Sequence, residues 1–451
     1  MNNDIIVSIS TSLGKGAISI VRLSGDGCIE LVNSVFKGKD LTKVDSHTIN
    51  YGHIINDGEI IDEVLVSIMK SPKTYTMEDV VEINCHGGIA VTNKILELLV
   101  VKGARLALPG EFTKRAFLNG RINLVESESV MDLIESKTND ARRLAISTIQ
   151  GNITKLIREY RSTLKDLLSQ IEVNIDYPEY YDIEVVTKDN IKNSIEVLKK
   201  DLDKLIKESN NVMPMKQGIK TVILGKPNVG KSSILNKLLN EDKAIVTNIA
   251  GTTRDIVEGE INLDGILMNI IDTAGIRSTN DVVESIGVEK SLSLIKDADL
   301  VIVVLNNNEK LSKDDKEILE KTKNKERIIV INKVDLDSKI DLPKDTENVV
   351  YTSTIKEEGI NELKDKIKEL FNIEKIKSKD YTYLSNTRQI SLAKKALKEI
   401  KQAETALNKN MPVDIIEIDL NECFNTLGEI IGETYSDEII DNLFKNFCVG
   451  K

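Results

Sequence analysis

The chain has 451 residues and a formal net charge of −11, from 61 Lys and Arg against 72 Asp and Glu. This length suggests about three domains, and the acidic balance excludes a chain-wide polyanion-binding surface while leaving room for a local basic patch. The four cysteines (Cys28, Cys85, Cys423 and Cys448) are scattered without a C-x-x-C pair, which indicates neither a zinc site nor a disulfide framework. No stretch approaches about 18 apolar residues. The opening Met1-Asn2-Asn3-Asp4 lacks the basic and apolar parts of a signal peptide. A soluble, reducing, cytoplasmic setting without a membrane is expected.

Residues 1–118 read as an α+β domain. Ile5–Ile9 and Ala17–Leu23 are β-rich, and Asp57-Gly58 joins Thr48–Ile55 to Ile60–Met69 as a hairpin. Val80–Asn84 predicts a further strand, and Ile89–Val101 is one of two predicted helices. Glycine is nearly absent from residues 119–216, and apolar residues recur at helical spacing through Ile146, Ile149, Ile153 and Ile157. Long helices are predicted there, broken near Asp176-Tyr177-Pro178. Arg142, Arg143, Lys155, Arg158, Arg161 and Lys165 fall on a helical face that reads as solvated.

Residues 217–373 alternate strand with helix. Leu300–Leu305 and Arg327–Ile331 are continuous apolar runs of the kind buried in parallel sheets. Residues 374–451 return to helix, with a stripe from Leu392 through Ala396 and Ile400 to Leu407 and a second helix after Pro412. The expected architecture is multidomain α/β plus α. An N-terminal α+β domain precedes an all-helical domain, built from 119–216 and 374–451, into which a Ras-like P-loop domain with a mainly parallel sheet is inserted.

Within that insert, Gly225-Lys226-Pro227-Asn228-Val229-Gly230-Lys231-Ser232 matches G-x-x-x-x-G-K-S. It stands between the apolar run Thr221–Leu224 and the helical pattern that starts at Ser233. The backbone from Asn228 through Val229 and Gly230 to Lys231, Ser232 and Ser233 is therefore expected to cradle phosphates. Lys231 would reach the β- and γ-phosphates, and the Ser232 hydroxyl would ligate Mg²⁺. Gly251-Thr252-Thr253-Arg254-Asp255 follows, with Thr253 as the second Mg²⁺ hydroxyl. Next, Asp272-Thr273-Ala274-Gly275 places Asp272 to hold Mg²⁺ through water and the Gly275 N–H to bind the γ-phosphate.

Asn332-Lys333-Val334-Asp335 closes the series. The Asp335 carboxylate can accept from both the N1–H and the exocyclic amine of guanine, whereas adenine would leave it unpaired. Ser353 stands where such proteins usually carry Ser-Ala-Lys. A glutamine directly after the D-x-x-G glycine commonly orients the attacking water, but here that position is Ile276. Asp281, Glu284 and Glu289 are the carboxylates available nearby, and the transition state also needs a cation. Either an arginine or a monovalent ion could supply it. Asn228 and the carbonyls of the Thr247-Asn248-Ile249-Ala250-Gly251-Thr252 loop are suitable hard oxygen ligands.

Several stretches outside this domain make the chain resemble the MnmE (TrmE) family of tRNA-modification GTPases over essentially its whole length. They are Val21-Arg22-Leu23-Ser24-Gly25, Glu82-Ile83-Asn84-Cys85-His86-Gly87-Gly88, the segment Pro109–Gly120, and the terminal Phe447-Cys448-Val449-Gly450-Lys451. The resemblance implies a homodimer through the N-terminal domains. It implies a formyl- or methylene-tetrahydrofolate-type one-carbon donor, held by Arg22, Glu82, Arg121 and Lys451. Arg121 stands where many relatives have lysine.

The resemblance further implies a complex with an FAD-dependent MnmG-like partner as a heterotetramer. Together they would install an aminomethyl-type group at carbon 5 of the wobble uridine of certain tRNAs. It also implies K⁺ in the arginine-finger role, held by Asn228, Thr247, Ile249 and Thr252, with Glu284 orienting water beside the catalytic Lys231 and Asp272. Cys448 reads as structural or substrate-lining. The alternative is an Era- or Der-like ribosome-assembly GTPase, which would need an RNA-binding module after residue 373 that the sequence lacks.

Overall fold

A computed structural model describes residues 4–176, 188–241, 257–263, 265–271, 295–343, 345–371, 381–435 and 437–451. Contacts divide the chain into two compact units, Met1–Met131 with Asn425–Lys451, and Asp132–Phe424. Residues 119–131 and 425–451 thus group by contacts with the N-terminal sheet, in the first unit.

In the first unit, two-residue alternation decides which way the sheet faces. Along β5 (Glu59–Met69), Val64, Val66 and Ile68 are buried while Leu65 is 46% exposed. The other strands are β1 (Ile6–Ile9), β2 (Ile18–Ser24), β3 (Phe36–Lys37), β4 (Thr48–Asn56), β6 (Val80–His86) and β7 (Arg105–Leu106). Their order is β3-β4-β5-β6-β2-β1-β7, and every neighbouring pair is antiparallel except β1 with β7. On the inner face Val21, Leu23, Val81 and Ile83 pack with Ile95 and Leu99 of α2 (Ile89–Val101). Arg22 sits opposite Glu82, and Glu82 opposite Ser67, on the outer face. Arg22 and Glu82 are thus mid-strand residues. Three α-helices occur before residue 119, where two were expected. The extra one, α1 (Cys28–Asn33), is six residues long and too short to show a helical period.

The C-terminal segment reaches this unit through aromatic packing. Phe117, at the end of α3 (Glu111–Leu118), Phe444 and Phe447 are buried together with Leu124 and Ile440. The Phe444 and Phe447 ring centroids are 4.9 Å apart. Gly110 has φ 68°, and a Cβ there would lie 2.8 Å from the Phe444 carbonyl oxygen and from Phe447 Cβ. Its N–H donates to the Cys448 carbonyl at 3.2 Å, which turns the tail toward β1. An ion network holds the same region. Arg115, itself buried, donates to Asp4, Glu78 and Glu111, and Arg105 to Asp4 and Glu111.

In the second unit, a six-stranded sheet has the order β13-β12-β11-β8-β10-β9. The strands are β8 (Ile219–Leu224), β9 (Val257–Leu263), β10 (Ile266–Ile271), β11 (Leu300–Asn306), β12 (Arg327–Asn332) and β13 (Val349–Thr352). All pairs are parallel except the edge pair β9 with β10. The central strands are buried on both faces, so their sequences are continuous Val and Ile rather than alternating.

Long helices accompany this sheet. In α6 (Asn152–Asp176), Ile153, Ile157, Leu164, Leu167 and Ile171 form one buried stripe. Arg161 leaves the solvated face expected for it. Its guanidinium lies 4.1 Å from the Phe424 ring centroid and donates to the Phe424 carbonyl at 3.2 Å. Among the described residues no helix is long and apolar enough to cross a membrane.

Candidate nucleotide and one-carbon sites

Strand β8 ends at Leu224, flanked by β11 on one side and β10 on the other. In open parallel sheets the ligand crevice lies at the C-terminal strand ends where the order switches in this way. The glycine loop leaves β8 at that point. Gly225 has φ 151°, and a Cβ there would strike the Val304 carbonyl. Gly230 has φ 104°, and its Cβ would strike Asn332 Nδ2. Only glycine allows both approaches. Asn228, at the loop apex, is exposed with φ 61°.

Helix α8 (Lys231–Glu241) begins directly after the loop. Its first N–H groups give the loop a positive end suited to phosphate. Lys231 Nζ donates to the Gly225 and Lys226 carbonyls at 2.8 and 2.7 Å, which holds the ammonium against the loop backbone. Ser232 is half-buried in the first turn, and Ser233 is exposed.

Strand β12 ends at Asn332, whose side chain is engaged within the protein. Its Nδ2 donates to the Val229 carbonyl at 2.8 Å, and its Oδ1 accepts from Thr352 Oγ1 at 3.1 Å. Lys333 takes a left-handed φ of 66°, which turns the chain toward Asp335. Ser353 Oγ donates to Asp335 Oδ1 at 2.6 Å. That bond holds the Asp335 carboxyl below the usual carboxylate range, with Lys356 and Lys333 adding to the effect. An ionised, oriented carboxylate of this kind can accept two parallel N–H donors. Asn332, Val229, Ser353 and Asp335 therefore form one connected assembly. Thr247, Asn248, Ile249, Ala250, Gly251, Thr252 and Thr253 lie outside the described residues, as do Asp272, Thr273, Ala274, Gly275 and Glu284.

The second candidate site is on the outer face of the first sheet. Arg22 Nε and Nη2 each lie 2.8 Å from Glu82 Oε1, so neither occupies Oε2. Arg22 Nη1 donates to the Gly450 carbonyl at 3.1 Å, and Ser10 Oγ donates to the same oxygen at 3.2 Å. Gly450 has φ 93°, and a Cβ there would lie 2.6 Å from the Ile9 carbonyl oxygen. Lys451 is thereby brought beside Arg22 and Glu82. Burial lowers its ammonium pKa, and the neighbouring Arg22 lowers it further. Arg121 engages a different set. It donates to the Tyr75 carbonyl at 3.1 Å and stands 4.8 Å from the Tyr75 ring centroid.

Sequence reasoning missed Gly450 and Ser10 at this site, and Lys226, Asn307 and Thr352 at the other. The glycine before the last residue was a usable signal, since a buried tail needs close backbone approach. Cys28, Cys85 and Cys423 are buried free thiols, and Cys448 is an exposed one. Among the described residues no group of three or more His, Cys, Asp or Glu stands ready to hold a metal ion.

Comparison with known proteins extends over the whole chain. The family model described as the MnmE helical domain matches residues 124–448, and that described as the GTP-binding protein TrmE N-terminus matches residues 5–121. The chain is 50% identical over 448 residues to a tRNA modification GTPase MnmE of Lactococcus lactis, covering 99% of this chain and 98% of that protein. It is 49% identical over 459 residues to the protein of that name from Staphylococcus epidermidis, covering 100% of both. The G domain of the T. maritima FeoB iron transporter is 33% identical over 34% of this chain, at a TM-score of 0.26. The Era- or Der-like alternative does not account for a match that includes both the N-terminal and the helical domains. This chain belongs to the MnmE (TrmE) family of tRNA-modification GTPases.

Proposed function

We propose that this chain binds and hydrolyses GTP with Mg²⁺ and K⁺ and uses the cycle in modifying carbon 5 of the tRNA wobble uridine. The observation that carries the GTP reading is the assembly of Asp335 on Ser353 and of Asn332 on the phosphate loop. Guanine would donate N1–H and its amine to Asp335, while the Asn228–Ser232 backbone takes the phosphates. Mg²⁺ bound at Ser232, with Thr253 and Asp272 completing its shell, would neutralise charge developing on the β- and γ-oxygens. K⁺ at Asn228, Thr247, Ile249 and Thr252 would add the positive charge that the transition state needs. The exposed Asn228 amide at the loop apex is a hard oxygen donor consistent with that role. Glu284 would orient the attacking water in place of the missing glutamine.

Arg22, Glu82 and Lys451 form the core of the one-carbon donor site in this reading, and Arg121 would join them. The free Glu82 Oε2 can accept an N–H donor of a pterin, and the cations suit folate carboxylates. A homodimer fits the same sheet face, since Ile18, Ile49, Tyr51 and Leu65 are 46–68% exposed there. An FAD-dependent MnmG-like protein is the partner in the tRNA reaction, as a heterotetramer.

Four outcomes follow. Asp335→Asn should weaken GTP binding by about 10²-fold and admit xanthosine nucleotides, because an amide cannot accept from both guanine donors. Equilibrium titration that found GTP affinity unchanged would remove this loop from the base site. Calorimetry of the full-length protein with 5-formyltetrahydrofolate should show binding that Arg22→Ala abolishes, and equal affinities would exclude Arg22. Turnover in KCl should exceed that in NaCl at matched ionic strength. Glu284→Ala should lower turnover about 10²-fold with GTP binding nearly intact. Equal rates in the two salts would rule out the cation role, and an unimpaired variant would move the water-orienting role to Asp281 or Glu289.

A further inference from the structure

Lys226, the second residue of the glycine loop, turns its side chain to two carboxylates. Its ammonium lies 3.1 Å from Asp315 Oδ2 and 3.3 Å from Glu309 Oε2. The Asp315 side chain is 5% exposed, so its charge is largely cut off from water. Asp315 also caps α9 (Lys313–Lys321): its Oδ2 accepts from Ser312 N and Oγ, and its N–H donates to Ser312 Oγ. Its Oδ1 is buried without a hydrogen-bond partner. Lys226 is therefore the cation that compensates this carboxylate. Removing one partner of such a pair leaves the other buried and uncompensated. Burial alone would lower the Lys226 pKa, but Asp315 and Glu309 outweigh it and raise it.

The segment that holds Lys226 also holds the base loop. Glu309 is oriented by Asn306 Nδ2, which donates to its Oε1 at 2.7 Å. The next residue, Asn307, is buried and donates its backbone N–H to the Asn332 carbonyl at 2.9 Å. Its Nδ2 donates to the Leu336 carbonyl at 3.0 Å, and its carbonyl accepts from Lys339 N at 2.8 Å. Residues 306–315 thus grip the phosphate loop at one end and the Asp335 loop at the other. The Lys226 carbonyl in turn accepts from Lys231 Nζ, so a shift of Lys226 displaces the lysine that meets the phosphates.

We propose that Lys226 is a positioning residue for the β-phosphate: clamped by Asp315 and Glu309, it fixes the first turn of the glycine loop and, through its carbonyl, Lys231. This rests on the nucleotide reading above, and the test separates the two. The loop backbone cradles the α- and β-phosphates, and Lys231, which the Lys226 carbonyl holds, reaches the β- and γ-phosphates. Loss of the clamp therefore weakens GDP and GTP and spares GMP, which lacks the β-phosphate.

Competition calorimetry on the full-length protein would compare GDP with GMP. Lys226→Met should weaken GDP about tenfold or more and GMP less than twofold. Lys226→Arg, which keeps the ion pair, should restore GDP binding. Asp315→Asn keeps an oxygen for the Ser312 cap but loses the charge, and it should show the same selective loss. The double variant should be no weaker than Lys226→Met alone, because both changes break one interaction. Equal loss of GDP and GMP in Lys226→Met, or wild-type GDP affinity in Asp315→Asn, would overturn the proposal. If wild type bound no guanine nucleotide at all, the nucleotide reading itself would fail.

Discussion

The Asn332 side-chain amide joins the two ends of the nucleotide site. It donates to the Val229 carbonyl in the phosphate loop and accepts from Thr352 at the end of β13. It is 1% exposed, so neither hydrogen bond competes with water. Gly230 is glycine because the same amide occupies the space a Cβ would take. The distance between phosphate loop and base loop is thereby set by the protein and not by the ligand. If Asp335 selects guanine, it must stand at a fixed distance from the phosphates, and this amide would secure that distance.

The first sheet meets a different constraint with the same device. The chain's last residues must lie against β1 and β2 for Lys451 to stand beside Arg22. Buried phenylalanines bring them there, and Gly110 and Gly450 allow the close passes. Arg22 is then held by one carboxylate oxygen and one backbone carbonyl. This arrangement keeps two cations and a carboxylate together on the outer face of the sheet. Both sites therefore use a glycine at a contact where any side chain would push two segments apart.

Much of this was legible in the sequence, for identifiable physical reasons. Strands β11 and β12 announced themselves because burial on both faces leaves only apolar residues. The α2 helix was found from its apolar period, and the Asp57-Gly58 turn fixed the hairpin. The glycine loop and N-K-x-D were visible because phosphate and guanine each demand specific residue types. Other features were silent. The six residues of α1 are too few to show a period. That Arg22 stands opposite Glu82 was not legible, because register between distant strands is not encoded locally. Arg161 lies on an apparently solvated face, and only the tertiary contact with Phe424 reveals its stacking. Lys226 carried no signal because its partners are 83 and 89 residues away. The grouping of residues 425–451 with the first sheet depends on aromatic contacts that helical periodicity does not report.

The central claim is that GTP turnover here serves modification of the tRNA wobble uridine. The most direct test is mass spectrometry of tRNA nucleosides from cells lacking this gene, complemented with wild type or with Lys231→Ala. The account predicts loss of the carbon-5 aminomethyl-type uridines, restored by wild type and not by Lys231→Ala. An unchanged nucleoside profile in the deletion strain would contradict it.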